Sequence, residues 1–186
     1  MSHQHPLAER LRPGTLEAFI GQEHLKQKVE SLLKNPRPQS LLLFGPPGCG
    51  KSTLALLIAN RSGLPFARIS APETNLSTLR KQLAHIELLI LDEIHRFSKT
   101  QQDFFLPLLE TGDLTLLATT TENPSFSVTK QLISRLHVLR LRPLAGPELK
   151  KLGRKGQEAL DLKLSPEGLD LIARVSHGDA RTLFNL

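Results

Sequence analysis

Five short apolar runs mark the chain: Ser40–Phe44, Phe66–Ser70, Glu87–Asp92, Leu114–Thr120 and His137–Leu141. They are continuous rather than alternating, and amphipathic stretches separate them. That pattern predicts buried strands of a parallel sheet covered on both faces. Ser52–Arg61 places Leu54, Leu57 and Ile58 on one helical face and stops near Gly63. Leu76–Ala84 and Thr100–Leu109 read as further helices. Strands alternating with helices imply an α/β fold, here with five parallel strands over about residues 1–143. After Pro143 the pattern changes. Gly146-Pro147 opens a helix running to about Gln157. Ser165 as N-cap, with Pro166 and Glu167 behind it, starts a second helix that reaches about Val175. A third begins near Asp179 and is cut short at Leu186. A small all-α unit over about 144–186 is therefore expected, with the boundary near residues 142–147.

Composition narrows the class. A chain of 186 residues suffices for one domain plus a small appendage. The 39% hydrophobic and 23% charged content is that of a soluble globular protein and argues against disorder. No apolar run approaches the roughly 18 residues of a membrane span, and the polar terminus Met1–Arg10 is not a secretory signal. The single cysteine, Cys49, excludes an internal disulfide framework, and a cytoplasmic protein is expected. The net charge of +6 is unevenly spread. Residues 130–155 carry Lys130, Arg135, Arg140, Arg142, Lys150, Lys151, Arg154 and Lys155 against Glu148 alone. Such clustering points to a polyanion such as DNA; a solvated basic face is the plain alternative. With no Trp or Tyr, phosphate contacts should dominate over base stacking.

Candidate chemistry starts at Gly45-Pro46-Pro47-Gly48-Cys49-Gly50-Lys51-Ser52, which satisfies the G-x-x-x-x-G-K-[ST] pattern in full. Its glycines let backbone N–H groups turn inward on phosphates, and a helix starting near Lys51 adds its positive end. Lys51 should reach the β- and γ-phosphates, and the Ser52 hydroxyl should ligate Mg²⁺. The strand before it and the helix after it are the context the motif requires. The fold expected is thus a P-loop nucleoside triphosphatase, with ATP and Mg²⁺ as ligands. Cys49, beside Lys51 and near a helix N-terminus, sits where a thiol pKa is lowered, with an inert loop residue as the plain alternative. The second signal is the strand Leu88–Asp92 ending in Asp92-Glu93. It puts Asp92 where it can hold Mg²⁺ through water and Glu93 where it can act as general base. A third strand ends in Thr119, Thr120, Thr121, Glu122 and Asn123. Hydroxyls there suit a γ-phosphate contact, or simply fill a strand end with β-branched residues. Arg135 and Arg181 read as surface charge on chemistry alone.

The motifs in this order, followed by a helical unit, resemble AAA+ ATPases of the clamp-loader clade. Pro6–Pro13 and Phe19–Leu25 fit that clade. Asp92-Glu93-Ile94-His95-Arg96-Phe97, Thr120-Thr121-Glu122-Asn123-Pro124-Ser125-Phe126 and Gly178-Asp179-Ala180-Arg181 are similar to the replication-associated recombination protein A family, relatives of Werner-helicase-interacting protein. The resemblance spans nearly the whole chain. It implies that Arg12, Pro13, Phe19, Ile20 and Gly21 surround adenine, and that Gly45 to Thr53 embrace the phosphates. It implies Thr121 as sensor 1, with Thr120 as second choice. Arg135 would be an arginine finger acting on a neighbouring subunit, and Arg181 sensor 2 on a helical lid. It further implies a homo-oligomeric, DNA-remodelling ATPase that works with replication and repair proteins. A nucleotide-controlled binding module with little turnover, a clamp-loader subunit and a Holliday-junction branch-migration motor are the rival readings. Departures from the family are Cys49 in place of Thr, short segments at Lys26–Ser40 and Ala71–His85, and an end soon after Arg181 that suggests a fragment or a reduced relative.

Overall fold

The computed structural model describes residues 6–35, 37–71 and 76–186. Residues 1–5 of the polar terminus and part of the short 71–85 segment lie outside them. Strands β1 (Leu41–Phe44), β2 (Phe66–Ser70), β3 (Leu88–Asp92), β4 (Thr115–Thr120) and β5 (His137–Arg140) form one parallel sheet in the order β2-β3-β4-β1-β5. Each starts or ends within a residue of the run that predicts it.

Helices cover both faces, as the continuous apolar runs require. On one face Leu41, Leu43, Leu88, Ile90 and Leu117 meet Leu54, Ala55 and Ile58 of α3 (Lys51–Ser62) and Leu25 and Val29 of α2 (Glu23–Leu32). On the other, Leu42, Leu89, Leu91, Leu116 and Ala118 meet Phe97, Phe105 and Leu132. Odd and even strand positions thus feed two different cores, the period-two consequence of the pleat. Only β1, β3 and β4 are buried on both sides. β5 is an edge strand with His137, Val138 and Arg140 exposed, which corrects the expectation of a buried fifth strand.

Several helices depart from expectation. α1 (Leu7–Arg10) and α2 were not foreseen, although Leu25, Val29, Leu32 and Leu33 carry the i, i+4, i+7, i+8 spacing of an amphipathic helix. The stretch Thr100–Leu109 is not one helix. α4 (Leu76–Leu83) precedes β3, and after it come α5 (Lys99–Asp103) and α6 (Leu106–Glu110), broken at Phe104-Phe105. Pro107 has no N–H to offer the carbonyl of Asp103, so the helical ladder stops there. Buried Phe105 fills the break, stacking on Phe97 at 6.2 Å and meeting Phe104 edge-on at 5.5 Å. Between β4 and β5 lie two single-turn helices, α7 (Pro124–Ser127) and α8 (Lys130–Ile133), capped by the Asn123 and Thr129 side chains.

Beyond β5, α9 (Gly146–Leu160), α10 (Pro166–Val175) and α11 (Ala180–Asn185) pack around Leu144, Leu149, Ala173 and Leu183. Ser165 caps α10 by accepting from the Gly168 N–H, and Asp179 caps α11 by accepting from Arg181 and Thr182. No helix among the described residues is long and apolar enough to cross a membrane.

Candidate nucleotide site

The site sits where the C-terminal ends of β1, β3 and β4 meet. β1 runs into the loop 45–50, and α3 begins at Lys51, so the phosphate-loop residues are delivered by a strand-to-helix turn. Gly48 and Gly50 have φ of 63° and 99°. A side chain at Gly48 would collide with the Asp179 carboxylate, and one at Gly50 would lie 2.8 Å from the Phe19 ring. Glycine is required at both for the backbone and for the close approach. The buried Lys51 ammonium donates to the carbonyls of Gly45 at 2.8 Å and Pro46 at 2.7 Å. Burial pushes its pKa down, against the neighbouring carboxylates that favour the charged form.

The Asp92 carboxylate is the centre of the polar network. Ser52 Oγ donates to Oδ1 at 2.7 Å, Thr119 Oγ1 donates to the same oxygen at 2.9 Å, and Arg68 Nε donates to Oδ2 at 2.8 Å. Burial alone would raise its pKa. The bonds from Ser52 and Arg68, with the charge of Arg68, outweigh burial and hold it below the ordinary carboxylate value. Ser52 Oγ and Asp92 Oδ1 form an all-oxygen pair beside the phosphate loop, which fits a hard divalent cation such as Mg²⁺. Among the described residues no three His, Cys, Asp or Glu cluster as a protein-only metal cage.

Glu93 has φ 58° and ψ 47°, a left-handed conformation costly for a residue with a side chain. Its N–H donates to Thr119 Oγ1 at 3.3 Å, and its carboxylate lies 3.9 Å from Arg96. The turn aims this half-exposed acid into the same cleft as Lys51 and Ser52.

That cleft has a volume of about 700 Å³. Arg12, Pro13, Phe19, Ile20, the loop from Pro47 to Gly50, Lys51, Ser52, Thr53, Asp92, Glu93, Thr121 and Arg181 all line it. Arg12 is fixed to α3 by donating to Thr53 Oγ1 at 3.1 Å and to α1 by its pair with Glu9. Three expected residues stand behind the cleft wall. Gly21 packs under Leu144 and Glu148, and Gly45 and Pro46 supply the carbonyls that hold Lys51. Arg135 is not at this cleft. Its guanidinium is paired with Glu110 and bonded to the Gln131 carbonyl.

Four residues at or beside the cleft have roles that the sequence did not give them. Arg68 and Thr119 hold Asp92, and Lys155 of α9 reaches the cleft wall. Gln22, buried with φ 58°, donates to the carbonyls of Cys49 and Arg142 and accepts from the Arg142 N–H, tying loop, N-terminal segment and β5 exit together. An Arg in an otherwise apolar strand, two positions before Ser70, was the available signal for Arg68. Thr120, the alternative sensor, is fully buried, with its hydroxyl 3.1 Å from His95 Nδ1 and accepting from the Glu122 N–H, whereas Thr121 is exposed.

Cys49 overturns an expectation. Its side chain is buried at 1% exposure, and burial raises the thiol pKa despite Lys51 beside it. In the folded protein Cys49 should react with iodoacetamide at pH 8 at least about tenfold more slowly than in urea. Equal rates by mass spectrometry would refute the burial. Asp92 gives a pH prediction. Its folded pKa lies below its unfolded value, so its contribution to stability is present above the unfolded carboxylate pKa and is lost as pH falls through the folded one. The stability difference between the parent and Asp92→Asn should therefore shrink steadily on acidification below about pH 4. Urea titrations showing a pH-independent difference would contradict the network.

Comparisons with known proteins agree with this geometry. Residues 11–140 match the family model described as the Holliday junction DNA helicase RuvB P-loop domain. Replication-associated recombination protein A of Coxiella burnetii is 39% identical over 97% of this chain and 45% of its own length. ATPase WRNIP1 of Dictyostelium discoideum is 35% identical over 97% of this chain and 23% of its own. The chain thus spans less than half the length of these relatives. Among solved structures, the Thermotoga maritima RuvB Holliday junction branch migration motor superposes with a TM-score of 0.85 at 29% identity, covering 94% of this chain and 63% of that one. With its five-stranded parallel sheet and complete phosphate loop, the chain belongs to the RuvB P-loop domain family, as an AAA+ P-loop ATPase related to replication-associated recombination protein A and WRNIP1.

Proposed function

We propose that the cleft binds Mg²⁺·ATP and hydrolyses it, and that in the full-length protein this turnover remodels DNA or DNA-bound complexes in replication-linked recombination and repair. The observation that carries the proposal is convergence. The phosphate loop, the Ser52–Asp92 oxygen pair and Glu93 face one cleft although they come from separate elements. Lys51 would exchange its loop carbonyls for the β- and γ-phosphates, whose charge offsets the cost of its burial. Ser52, and Asp92 through water, would hold Mg²⁺, which when bound neutralises charge on the transferring phosphoryl group. Glu93 would take the proton of the attacking water. Exposed Thr121, rather than buried Thr120, would contact the γ-phosphate. Arg12, Pro13, Phe19 and Ile20, backed by Gly21, would enclose adenine.

Residues 144–186 would act as a lid that brings Arg181 to the phosphates. Arg135, whose guanidinium serves no group of its own cleft, would act on ATP bound to a neighbouring copy in a homo-oligomer. A DNA partner and a cytoplasmic setting rest on relatives named for replication-associated recombination and for the Holliday junction, and on the basic residues 130–155. The test is phosphate release with and without single-stranded, duplex and forked DNA, in which DNA should stimulate turnover. Turnover indifferent to all three would remove the DNA role.

Glu93→Gln keeps the size of the side chain but cannot accept the proton, so ATP binding should survive while turnover falls about 10²-fold or more. Unchanged turnover would make Glu93 a bystander at a strained turn. Arg135 is tested by mixing. Arg135→Ala retains Lys51 but offers no finger, and Lys51→Ala retains the finger but cannot grip ATP. Together they should recover activity that neither has alone. No recovery from mutants that still associate would rule out action in trans.

A further inference from the structure

Among the described residues, Arg68 is the one cation bound to the acid expected to carry the metal, and the phosphate-loop reading assigns it no task. Strand register explains how it gets there. β2 pairs Arg68 with Ile90 and Ser70 with Asp92, so Arg68 and Asp92 project from the same face of the sheet, two positions apart on adjacent strands. An arginine stem spans that offset, and Nε meets Asp92 Oδ2 at 2.8 Å. The opposite oxygen, Oδ1, is the one turned to the Ser52 hydroxyl at 2.7 Å and to Thr119 at 2.9 Å. The carboxylate is therefore divided, with one oxygen given to a fixed guanidinium and the other presented beside the phosphate loop. The carboxylate is sheltered, with 12% of the Asp92 side chain exposed, while Arg68 keeps 36% of its own side chain at the surface. Charge interactions at the Asp92 end are therefore screened less than between two fully exposed groups.

Resting on the reading of the cleft as a Mg²⁺·nucleotide site, we infer that Arg68 is a positioning residue which limits the cation affinity of that site. It removes Oδ2 as a ligand, so Asp92 offers a cation one oxygen only. Its positive charge also opposes a dication a few ångströms away. The same contact fixes the carboxylate so that Oδ1 faces Ser52. Divalent binding then depends on the phosphates that arrive with it, and the site takes the cation as a nucleotide complex rather than as a free ion. A phosphate loop with a carboxylate lacking this partner would hold the ion more tightly and release it more slowly.

The experiment is equilibrium binding of a fluorescent ATP analogue, followed by polarisation while Mg²⁺ is titrated at fixed nucleotide. Arg68→Gln removes the charge. Arg68→Met does so while keeping the apolar stem, and serves if Arg68→Gln fails to fold. Both should lower the Mg²⁺ concentration at half-maximal binding about fivefold or more, because a like charge near the ion and a competitor for Oδ2 are both gone. Arg37→Gln, which removes a cation paired with Glu87 ahead of β3, should leave it unchanged. Parent binding that shows no dependence on Mg²⁺ would remove the nucleotide–metal reading and this inference with it. Clear Mg²⁺ dependence in the parent, with the same or a higher half-saturation in the folded Arg68 variants, would leave that reading standing and overturn the role given to Arg68. Loss of the fold in both variants would also overturn it, since Arg68 would then be a framework residue.

Discussion

The arrangement of the cleft depends on one buried carboxylate. A charge out of water is costly unless every lone pair has a partner, and Asp92 meets that demand with donors from three different elements: Ser52 on α3, Thr119 on β4 and Arg68 on β2. Satisfying the charge fixes how far the phosphate-loop helix sits from the sheet edge, because Ser52 is in the first turn of α3. It fixes the end of β4 as well, because Thr119 serves both Asp92 and the Glu93 N–H. The strained turn that aims Glu93 into the cleft is thereby held from the neighbouring strand. A left-handed glutamate is tolerable when the surrounding bonds over-determine it.

A second constraint links this hub to the helices beyond the sheet. Gly48 has no side chain, and Asp179 occupies the space where one would be. Asp179 uses that position to cap α11, and the Ala180 N–H donates to the Gly48 carbonyl at 3.2 Å. The phosphate loop and the first turn of α11 thus share an interface with no room for adjustment, and Arg181 reaches the cleft as a result. Gln22 does the same from the other side, joining the Cys49 carbonyl to both backbone groups of Arg142. Any change at Gly48 is felt at two places, in the loop and in the seating of the terminal helices.

The sequence was most legible where one physical rule dominated. Strands β1, β3 and β4 follow from apolar runs that must be buried, and α10 follows from Ser165, Pro166 and Glu167 at their capping positions. The loop from Gly45 to Ser52 was readable because few residue types allow its backbone. Legibility failed where tertiary context decided. β5 reads as buried, yet among the described residues no strand pairs with its outer edge. Thr100–Leu109 has helical spacing, yet one missing N–H at Pro107 splits it. Cys49 shows the same limit in electrostatics. Its neighbours in sequence favour the thiolate, but packing under the loop removes the water a thiolate needs, and burial wins. Arg68 and Thr119 were unreadable as partners of Asp92 because strand order, which no local pattern encodes, brings them together.

The basic stretch shows how structure subdivides a charge count. As a run, residues 130–155 carry eight cations and one acid. In space several are already committed. Arg135 is paired with Glu110, Lys150 with Asp170, and Arg140 lies 5.8 Å over the Phe44 ring. Lys155 turns to the nucleotide cleft. Lys130, Arg142, Lys151 and Arg154 have no carboxylate partner among the described residues. Surface pairs of this kind contribute little to stability, so their main consequence is to cancel field. A polyanion approaching the chain would meet the uncancelled charges on α8, at the exit of β5 and on the exposed side of α9, rather than one continuous basic strip. The contribution of Lys155 would depend on whether nucleotide phosphates are already in the cleft, since they would neutralise it first. Charge that reads as one basic footprint in the sequence is thus divided in space, part of it committed to carboxylates and part of it turned to the cleft.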